Sequence, residues 1–291
     1  MRSHAYRLLN VFTRDGERLS GNPLCVFEDG AAFDTQQMQA LARQFNLSET
    51  TFILPSERAS ARVRIFTPSY EMPFAGHPTL GTAHVCHALG LGGDALTLEM
   101  SAGIIPVHRS GARWTLQANA PQWRELDAPR AELAAALGLA PADLIDRPLW
   151  VNVGREQLIV PLASVEAVRR AQPRLEALLR LRSQDGGSMA YLFASYDRAT
   201  PGKAAAERER LCARFFFPQG PTILEDPATG SAASNLGGWF IAMRDARGLR
   251  VEIDQGEQAG RPSRLFLELD TAQRILVSGE VIELGRGTLS L

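Results

Sequence analysis

Two stretches of this chain share one pattern, in which an acidic residue is followed by a proline, a glycine and an apolar segment. The first is Glu71–Leu80 (EMPFAGHPTL) and the second is Glu225–Asn235 (EDPATGSAASN). Proline and glycine interrupt the incoming chain, and we expect a helix to follow Gly76 and Gly230 with its first N–H groups unpaired. Such a helix end attracts anions. The pattern therefore predicts two similar lobes that close on one small carboxylate-bearing molecule.

The length and the composition favour two lobes over one large domain. The chain has 291 residues with a hydrophobic content of 45%, which is enough for two cores in domains of roughly 100–150 residues each. We predict a first lobe over residues 1–118 and a second lobe over residues 119–278.

The charge and the cysteines exclude several classes of protein. The net charge is −1, from 31 Lys and Arg residues against 32 Asp and Glu residues, so nucleic acid is not predicted as a partner. Cys25, Cys86 and Cys212 are scattered without C-x-x-C spacing, as is typical of reduced thiols. No apolar stretch approaches the ~18 residues of a membrane span, and no leader pattern opens the sequence. We expect a soluble cytoplasmic protein that does not bind membranes.

Short runs rich in Val, Ile, Leu, Phe and Thr predict a sheet in each lobe. The predicted strands are 6–12, 23–28, 50–54, 62–67, 95–100, 103–108, 113–117, 149–153, 157–162, 189–195, 213–217, 250–254, 264–269, 274–278 and 280–284. Helices are predicted after the capping pattern Asp34–Gln37 and at 78–90, 130–137, 164–171, 173–182 and 231–243. Because strands and helices do not alternate regularly, we predict an α+β fold with mostly antiparallel sheets and a weak internal repeat.

Glu49 lies where a predicted helix ends and a strand begins, between Phe45 and Phe52. Partial burial at such a place favours the protonated form of a carboxyl group, which suits a general acid or base near neutral pH. The alternative is a glutamate that caps the helix or faces solvent. The motifs elsewhere in the chain favour the catalytic interpretation.

His77 follows Gly76 at the start of the first predicted apolar helix. The positive end of that helix disfavours the imidazolium, so we expect a neutral ring that can orient a substrate through one donor and one acceptor. The alternative is a metal site, since His77, His84 and His87 share the helix at spacings of seven and three residues. No carboxylate stands at a matching position, and packing or capping is favoured for His84 and His87.

Asp226 precedes the turn Ala228–Ser231 at the second predicted helix start. The backbone donors of this turn and the hydroxyls of Thr229 and Ser231 are suited to hold a carboxylate or an amino alcohol, and Asp226 would accept from an ammonium or hydroxyl group. The alternative is that Asp226 is the N-cap of the helix, worth ~1 kcal/mol. The two roles are compatible.

Several common motifs are missing from the sequence. It contains no G-x-G-x-x-G after a strand, no G-x-x-x-x-G-K-[ST] and no G-x-S-x-G. The sequence therefore does not indicate a nucleotide-binding protein, a phosphate-loop protein or a serine hydrolase. We expect a reaction that uses neither a cofactor nor a metal.

The motifs together resemble the phenazine-biosynthesis isomerase family, the PhzF-like proteins, which share the diaminopimelate epimerase fold. The resemblance spans nearly the whole chain and is carried by Gly21–Pro23, Met38–Phe52, Phe66–Pro68 with Glu71, Phe74–Pro78, Glu225–Ala232, Gln255–Gly256, Gly260–Ser263 and Gly285–Thr288. It implies two pseudo-symmetric lobes, each a curled sheet around a central helix, with the active site between the lobes. It also implies a homodimer, and a C-terminal strand over 279–291 that returns to the first lobe.

The resemblance assigns roles to residues of both glycine loops. In the family, the glutamate that matches Glu49 moves a proton between carbons. The positions that hold the substrate match His77, Asp226 and Ser231, helped by the backbone at Gly76 and Gly230. We add their neighbours Ser48 and Thr229 to the predicted substrate-binding set.

One departure from the fold's epimerases narrows the mechanism. Those enzymes use two cysteines, one in each glycine loop, whereas this chain has Ala75 and Thr229 at these positions. The resemblance therefore implies a single-base isomerase, most similar to trans-2,3-dihydro-3-hydroxyanthranilate isomerase of phenazine biosynthesis. The alternatives are an epimerase or isomerase of another small amino or hydroxy acid, and a non-catalytic metabolite-binding protein.

Overall fold

The computed structural model of the protein describes residues 2–196 and 208–291. The chain forms two compact units. One consists of the residues up to Gln117 together with Ser278–Leu291, and the other is Ala118–Val277. Within the described ranges, no helix has the length and apolar character needed to cross a membrane.

The first unit is built from eight strands, two α-helices and a short 3-10 helix at Gly30–Ala32. Its elements are β1 (Ser3–Thr13), β2 (Asn22–Phe27), α1 (Thr35–Phe45), β3 (Glu49–Leu54), β4 (Ala61–Phe66), β5 (Glu71–Met72), α2 (Gly76–Ala88), β6 (Ala95–Met100), β7 (Gly103–Ser110) and β8 (Arg113–Gln117). Strand β17 (Ile275–Ser290) begins in the second unit and completes the first, where it pairs with β1.

The second unit contains the remaining elements and a 3-10 helix at Pro141–Asp143. They are β9 (Gln122–Glu125), α3 (Arg130–Ala136), β10 (Leu149–Asn152), β11 (Glu156–Pro161), α4 (Val165–Arg170), α5 (Leu175–Leu178), β12 (Ala190–Ser195), β13 (Arg208–Gln219), β14 (Thr222–Asp226), α6 (Gly230–Arg244), β15 (Leu249–Gln255) and β16 (Ser263–Leu269).

The two units repeat one topology. In the first, most strand pairs are antiparallel, but β2 pairs with β3 and β4 pairs with β6 in parallel. In the second, the parallel pairs are β11 with β12 and β13 with β15. Helices α1 and α2 make the first unit's crossovers, while α4 with α5, and then α6, make the second unit's. The predicted mostly antiparallel α+β character is confirmed, and so is the internal repeat in the order of the elements.

Helix α1 forms where its capping pattern predicts. The Asp34 side chain accepts from the backbone N–H of Gln37, and the Gln37 side chain accepts in return from the N–H of Asp34. Asn46 ends the helix in the left-handed conformation. The buried face of α1 packs on an aromatic cluster of the sheet that includes Phe27, Phe52 and Phe66.

The helices α2 and α6 are enclosed by their surroundings, and apolar or small residues occupy nearly every face of each helix. Ten of the thirteen residues of α2 and ten of the fifteen residues of α6 are buried. Each helix approaches its sheet closely through a glycine. A Cβ on Gly81 of α2 would lie 2.4 Å from Leu24, and a Cβ on Gly238 of α6 would lie 2.6 Å from Val151.

We expect Gly81→Ala to destabilise the first unit by about 1–3 kcal/mol, because the added methyl group forces α2 away from β1 and β2. The better helix propensity of alanine, worth about 1 kcal/mol, offsets only part of this cost. Urea unfolding followed by circular dichroism measures the change. Gly93→Ala is the control, since a Cβ there meets no atom within 4 Å; equal stability of the two variants would contradict the close approach.

The structure differs from the predicted elements in three places. The strands predicted at 274–278 and 280–284 are one continuous strand, β17. Gly279 lies within this strand and lets it pass over Phe12, whose ring would lie 2.2 Å from a Cβ at this position. Strand β9 lies in residues 118–129, where no element is predicted, and the helix predicted at 173–182 is reduced to the single turn of α5.

Candidate active site

Glu49 is the first residue of β3, and strand geometry sets the direction of its side chain. Successive strand residues point to opposite faces of a sheet. Two residues further on, the hydroxyl of Thr51 forms a hydrogen bond with the hydroxyl of Thr82 on α2, with 2.8 Å between the oxygens. Glu49 therefore points to the face that carries α2. Its side chain is 15% exposed, which confirms the predicted partial burial.

His77 is the second residue of α2, and its ring lies against Glu49. The Nδ1 atom of His77 is 3.3 Å from Oε2 of Glu49. The Nε2 atom of the ring is buried and makes no hydrogen bond within residues 2–196 and 208–291. Gly76, the first residue of the helix, is also buried, while the side chain of Ser48 next to Glu49 is exposed. One ring nitrogen of His77 is thus available to a ligand at this helix start.

Burial keeps the His77 ring neutral. Loss of hydration lowers the pKa of His77 from its ordinary value of 6.5 to about 3, although the backbone of Pro23 acts in the opposite direction. The predicted neutral ring is confirmed, although burial rather than the helix dipole is the main cause.

His77 should make the protein less stable as the pH falls below about 6.5. In that range the unfolded state binds a proton at this position and the folded state does not, so acid favours unfolding, with a slope of at most ~1.4 kcal/mol per pH unit. We expect wild-type protein to lose about 2 kcal/mol more than His77→Gln between pH 7 and pH 4.5. Urea unfolding of both proteins at each pH measures this, and parallel profiles would contradict it.

The structure does not support the alternative of a histidine metal site on α2. The rings of His84 and His87 pack edge-on against Trp114, as the packing interpretation predicts. Nε2 of His87 lies 3.0 Å from a guanidinium nitrogen of Arg109, where a metal cation would be repelled. Across the two described ranges, no three His, Cys, Asp or Glu side chains converge as metal ligands.

The second group of predicted residues lies at the start of α6. Asp226 ends strand β14, and its Oδ2 accepts a hydrogen bond of 2.5 Å from the Thr229 hydroxyl. Thr229 occupies the N-cap position of α6, and Gly230 is the first helical residue. The prediction that Asp226 itself caps this helix is therefore wrong: the strand extends as far as Asp226, and the carboxylate instead fixes the hydroxyl of the capping residue.

Gln255 supports this turn from the neighbouring strand. Its side-chain amide donates to the carbonyl oxygen of Asp226 (2.9 Å) and to the hydroxyl of Thr229 (3.1 Å). The next residue, Gly256, has a φ of +83°, and a Cβ there would lie 2.4 Å from the Pro227 carbonyl oxygen. Only glycine fits both constraints, so the end of β15 holds the turn in place.

Ser231 is held by a buried amide network. Gln157 of β11 donates to the Ser231 hydroxyl (3.1 Å) and accepts from Asn235 of α6 (2.7 Å). Asn235 in turn accepts from the backbone N–H of Val153 (3.0 Å) and donates to the carbonyl of Arg155 (2.9 Å). This network fixes both the position of the Ser231 hydroxyl and the orientation of α6.

The acidic residues that open the two repeated stretches have a structural role. Glu71 on β5 forms a two-point ion pair with Arg64 on β4, at 2.6 and 2.7 Å. Glu225 on β14 forms the equivalent pair with Arg214 on β13, at 2.7 and 3.1 Å. Both glutamates lie in strands, and each pair anchors the chain directly before a helix start.

Both helix starts are suited to an anion. Ala75 is the N-cap of α2 and Thr229 is the N-cap of α6, and in neither does the side chain bond to the first N–H groups. Neither helix has an acidic residue in its first turn. The side chains of the two N-cap residues therefore leave the first N–H groups of each helix uncapped, and no acidic residue in the first turn would repel an anion.

Comparison with known proteins identifies the family. A family model described as phenazine biosynthesis-like protein (PhzC-PhzF) matches residues 9–287. The chain belongs to this family.

Other PhzF-like proteins resemble the chain over nearly its full length. It is 36% identical to an uncharacterized isomerase of Pasteurella multocida, over 98% of this chain and 94% of the relative. It is also 36% identical to trans-2,3-dihydro-3-hydroxyanthranilate isomerase of Pseudomonas aeruginosa, over 96% and 95% of the two chains. A crystal structure of the PhzF-family protein of Bacillus anthracis has the same fold, with a TM-score of 0.85, full coverage of both chains and 24% identity. The protein is accordingly an enzyme of the isomerase class.

In this PhzF-like chain none of the three cysteines belongs to either glycine stretch, Glu71–Leu80 or Glu225–Asn235. Cys25, Cys86 and Cys212 are all buried. Burial raises the pKa of Cys86 to about 12 and that of Cys212 to about 11, and it raises the pKa of Cys25 still further. These thiols stay protonated at neutral pH and cannot serve as bases, in agreement with the absence of cysteine from the glycine loops.

The sequence did not reveal all the residues that support the site. Gln255 and Gly256 belong to a stretch that carries the family resemblance, but their contact with the Asp226 turn depends on the pairing of β13 with β15. Gln157 and Asn235 have no local signal, since a glutamine in a strand and an asparagine in an apolar helix fit no motif. Their buried position was the only available clue, and it requires the fold.

Proposed function

We propose that this protein is a cofactor-independent isomerase that moves a proton between two carbons of a small carboxylate-bearing ring compound. Glu49 removes the proton from an activated carbon, becomes a carboxylic acid, and returns the proton to another carbon while the double bond shifts. The substrate gains and loses nothing overall. The compound that best fits this proposal is trans-2,3-dihydro-3-hydroxyanthranilate, or an acid closely similar to it.

The pair of Glu49 and His77 carries the proposal. Proton abstraction from a carbon atom is favoured by a carboxylate that is partly sheltered from water. The Glu49 side chain is 15% exposed, and its Oε2 atom lies 3.3 Å from Nδ1 of the neutral His77 ring. The unbonded Nε2 of this ring can orient a polar group of the substrate next to the carboxylate.

We assign binding of the substrate carboxylate to a helix start. The first turns of α2 and α6 offer N–H donors that the side chains of their N-cap residues, Ala75 and Thr229, do not cap. Gly76 and Gly230 open these helices, and the hydroxyls of Ser231 and Thr229 stand at the second one. We also propose that Ser48 contacts the substrate, because it is adjacent to Glu49 in the chain. The finer fold description, with diaminopimelate-epimerase-like lobes, and the homodimer are parts of the same proposal.

The reaction of the purified protein with trans-2,3-dihydro-3-hydroxyanthranilate in D2O tests this function. We expect a shift of the double bond. If the proton held by Glu49 exchanges with solvent between the two steps, the carbon that receives it will carry deuterium. Nuclear magnetic resonance and mass spectrometry of the product locate the label. Repeating the assay in the presence of a chelator checks that no added metal contributes.

Other outcomes point to the alternatives. Deuterium at one stereocentre without a double-bond shift would indicate an epimerase. A ligand-dependent rise in melting temperature without any exchange at carbon would indicate a metabolite-binding protein. Either result would overturn the proposed isomerisation.

A further inference from the structure

Tyr191 on β12 is a buried tyrosine with an unsatisfied hydroxyl group. The residue is completely inaccessible to solvent. Its hydroxyl forms no hydrogen bond with any residue in the ranges 2–196 and 208–291. Leaving a buried hydroxyl unpaired costs ~1–3 kcal/mol, whereas phenylalanine would fill the same volume without this cost. The Tyr191 hydroxyl therefore needs a hydrogen-bond partner that the described residues do not supply.

Strand register places Tyr191 beside the second group of site residues. Tyr191 pairs with Phe215 on β13, and Phe215 pairs with Asp226 on β14. Residues paired in this way point to the same face of a sheet. Phe193, two residues after Tyr191, packs its ring on Trp239 of α6. Tyr191 and Asp226 thus share the face that carries α6, with one strand between them.

The internal repeat shows that this hydroxyl is unusual. Aligning the Arg64–Glu71 pair with the Arg214–Glu225 pair places Thr51 of the first unit at the position of Tyr191. There, the threonine hydroxyl is satisfied by Thr82, the seventh residue of α2. The seventh residue of α6 is Leu236, which has no polar group to offer. The second unit therefore has a hydroxyl group at this position, but its helix provides no hydrogen-bond partner for that group.

The surroundings define what the hydroxyl can bind. Burial raises the pKa of Tyr191, and the nearby Cys212 and Asp226 raise it further, so the phenol is protonated and can donate. Asp226 accepts, as its bond with Thr229 shows. A ligand group that meets both residues must accept from the tyrosine and donate to the carboxylate. A hydroxyl group does both, whereas an ammonium group has no lone pair with which to accept.

We propose that Tyr191 is a specificity-determining residue, whose hydroxyl donates to a hydroxyl substituent of the substrate while that substituent donates to Asp226. This inference rests on the proposed function, because it names the kind of ring acid that the same site selects. The protein is then selective for acids that carry a ring hydroxyl over the same acids without it.

The test compares the binding of 3-hydroxyanthranilate and anthranilate, which differ only in that hydroxyl. Wild-type protein should bind the first about tenfold or more tightly, and in Tyr191→Phe the ratio should fall to about one to two. Isothermal titration calorimetry gives both dissociation constants. Tyr196→Phe is the matched control, because Tyr196 packs on the opposite face, against the core that α3, α4 and α5 cover. It should keep the wild-type ratio.

The melting temperature of the ligand-free variant separates a binding role from a structural one. Tyr191→Phe should melt at the wild-type temperature or above it, because no protein hydrogen bond is lost. A clear fall in melting temperature would assign the hydroxyl to the fold and overturn the inference. An unchanged binding ratio in Tyr191→Phe, or no preference in the wild type, would also overturn it.

Failure of this inference is distinguishable from failure of the proposed function. The binding ratio is measured at equilibrium and can be repeated in a Glu49→Gln background, where no proton transfer is expected. Absence of double-bond migration in D2O would refute the proposed isomerase activity, but it would not affect the measured ratio of dissociation constants. If the ratio of the two dissociation constants is the same in Tyr191→Phe as in the wild type, the specificity role of Tyr191 is refuted, but the proposed isomerase activity is not.

Discussion

Glu49→Gln should lower kcat/KM for the isomerisation by at least about a thousandfold. The amide has nearly the shape of the carboxyl group but cannot take up or return a proton, and a positioned acid or base contributes about 10²–10⁴ to the rate. Since Glu49 performs both transfers in the proposed reaction, the loss should fall at the upper end of that range. Steady-state assays with trans-2,3-dihydro-3-hydroxyanthranilate measure it.

Two further variants make this result specific. Glu49→Asp keeps the acid but retracts it by one methylene group, so it should retain more activity than the amide. Glu57→Gln makes the same chemical change at an exposed residue of the same unit and should leave kcat/KM unchanged. Activity of Glu49→Gln within tenfold of the wild type, with an unchanged melting temperature, would remove Glu49 from the mechanism.

Glu225→Ala should destabilise the second unit by about 3 kcal/mol or more. The variant leaves the guanidinium of Arg214 buried without its carboxylate, and breaking a buried ion pair from one side costs about 3–5 kcal/mol. The carbonyls of Val168, Arg169 and Ala171 still accept from Arg214, but they do not neutralise its charge. Urea unfolding followed by tryptophan fluorescence reports on this unit, which holds Trp123, Trp150 and Trp239.

An exposed pair and a double variant serve as the controls. Glu125 and Arg147 also form an ion pair, but their side chains are 72% and 68% exposed, so Glu125→Ala should cost less than about 1 kcal/mol. Replacing both partners, with Glu225→Leu and Arg214→Met, should cost less than Glu225→Ala alone, because no buried charge is left unpaired. If the single and double variants proved equally stable, the buried charge would not be the cause.

The ion pair between Arg214 and Glu225 is relevant to function because Glu225 lies directly before the candidate site residues in the chain. Glu225 is followed directly by Asp226 and then by the turn that opens α6, just as Glu71 precedes the turn that opens α2. In both units the guanidinium also lies over a phenylalanine ring, Arg64 over Phe66 and Arg214 over Phe216. The repeat therefore preserves a complete anchor in front of each helix start.

Local patterns in the sequence predicted much of this architecture. The helix start at Asp34, the end of that helix at Asn46, the apolar central helices and most strands depend on neighbours within a few residues, and such interactions act in any fold. The glycine stretches similarly indicated two helix starts without capping side chains. The resemblance to the PhzF-like proteins, carried by several separated motifs, indicated Glu49 as the proton-transfer residue.

Contacts between distant segments could not be predicted in this way. The strand position of Asp226, the continuity of β17 past Gly279, and the neutral state of His77 through burial all depend on segments that are far apart in the chain. The same holds for the amide network of Gln157 and for the unsatisfied hydroxyl of Tyr191. Sequence alone predicted where most helices and strands form, because these depend on local interactions. Only the tertiary structure decided which polar groups are buried and what they meet, because burial and pairing arise when the sheets form.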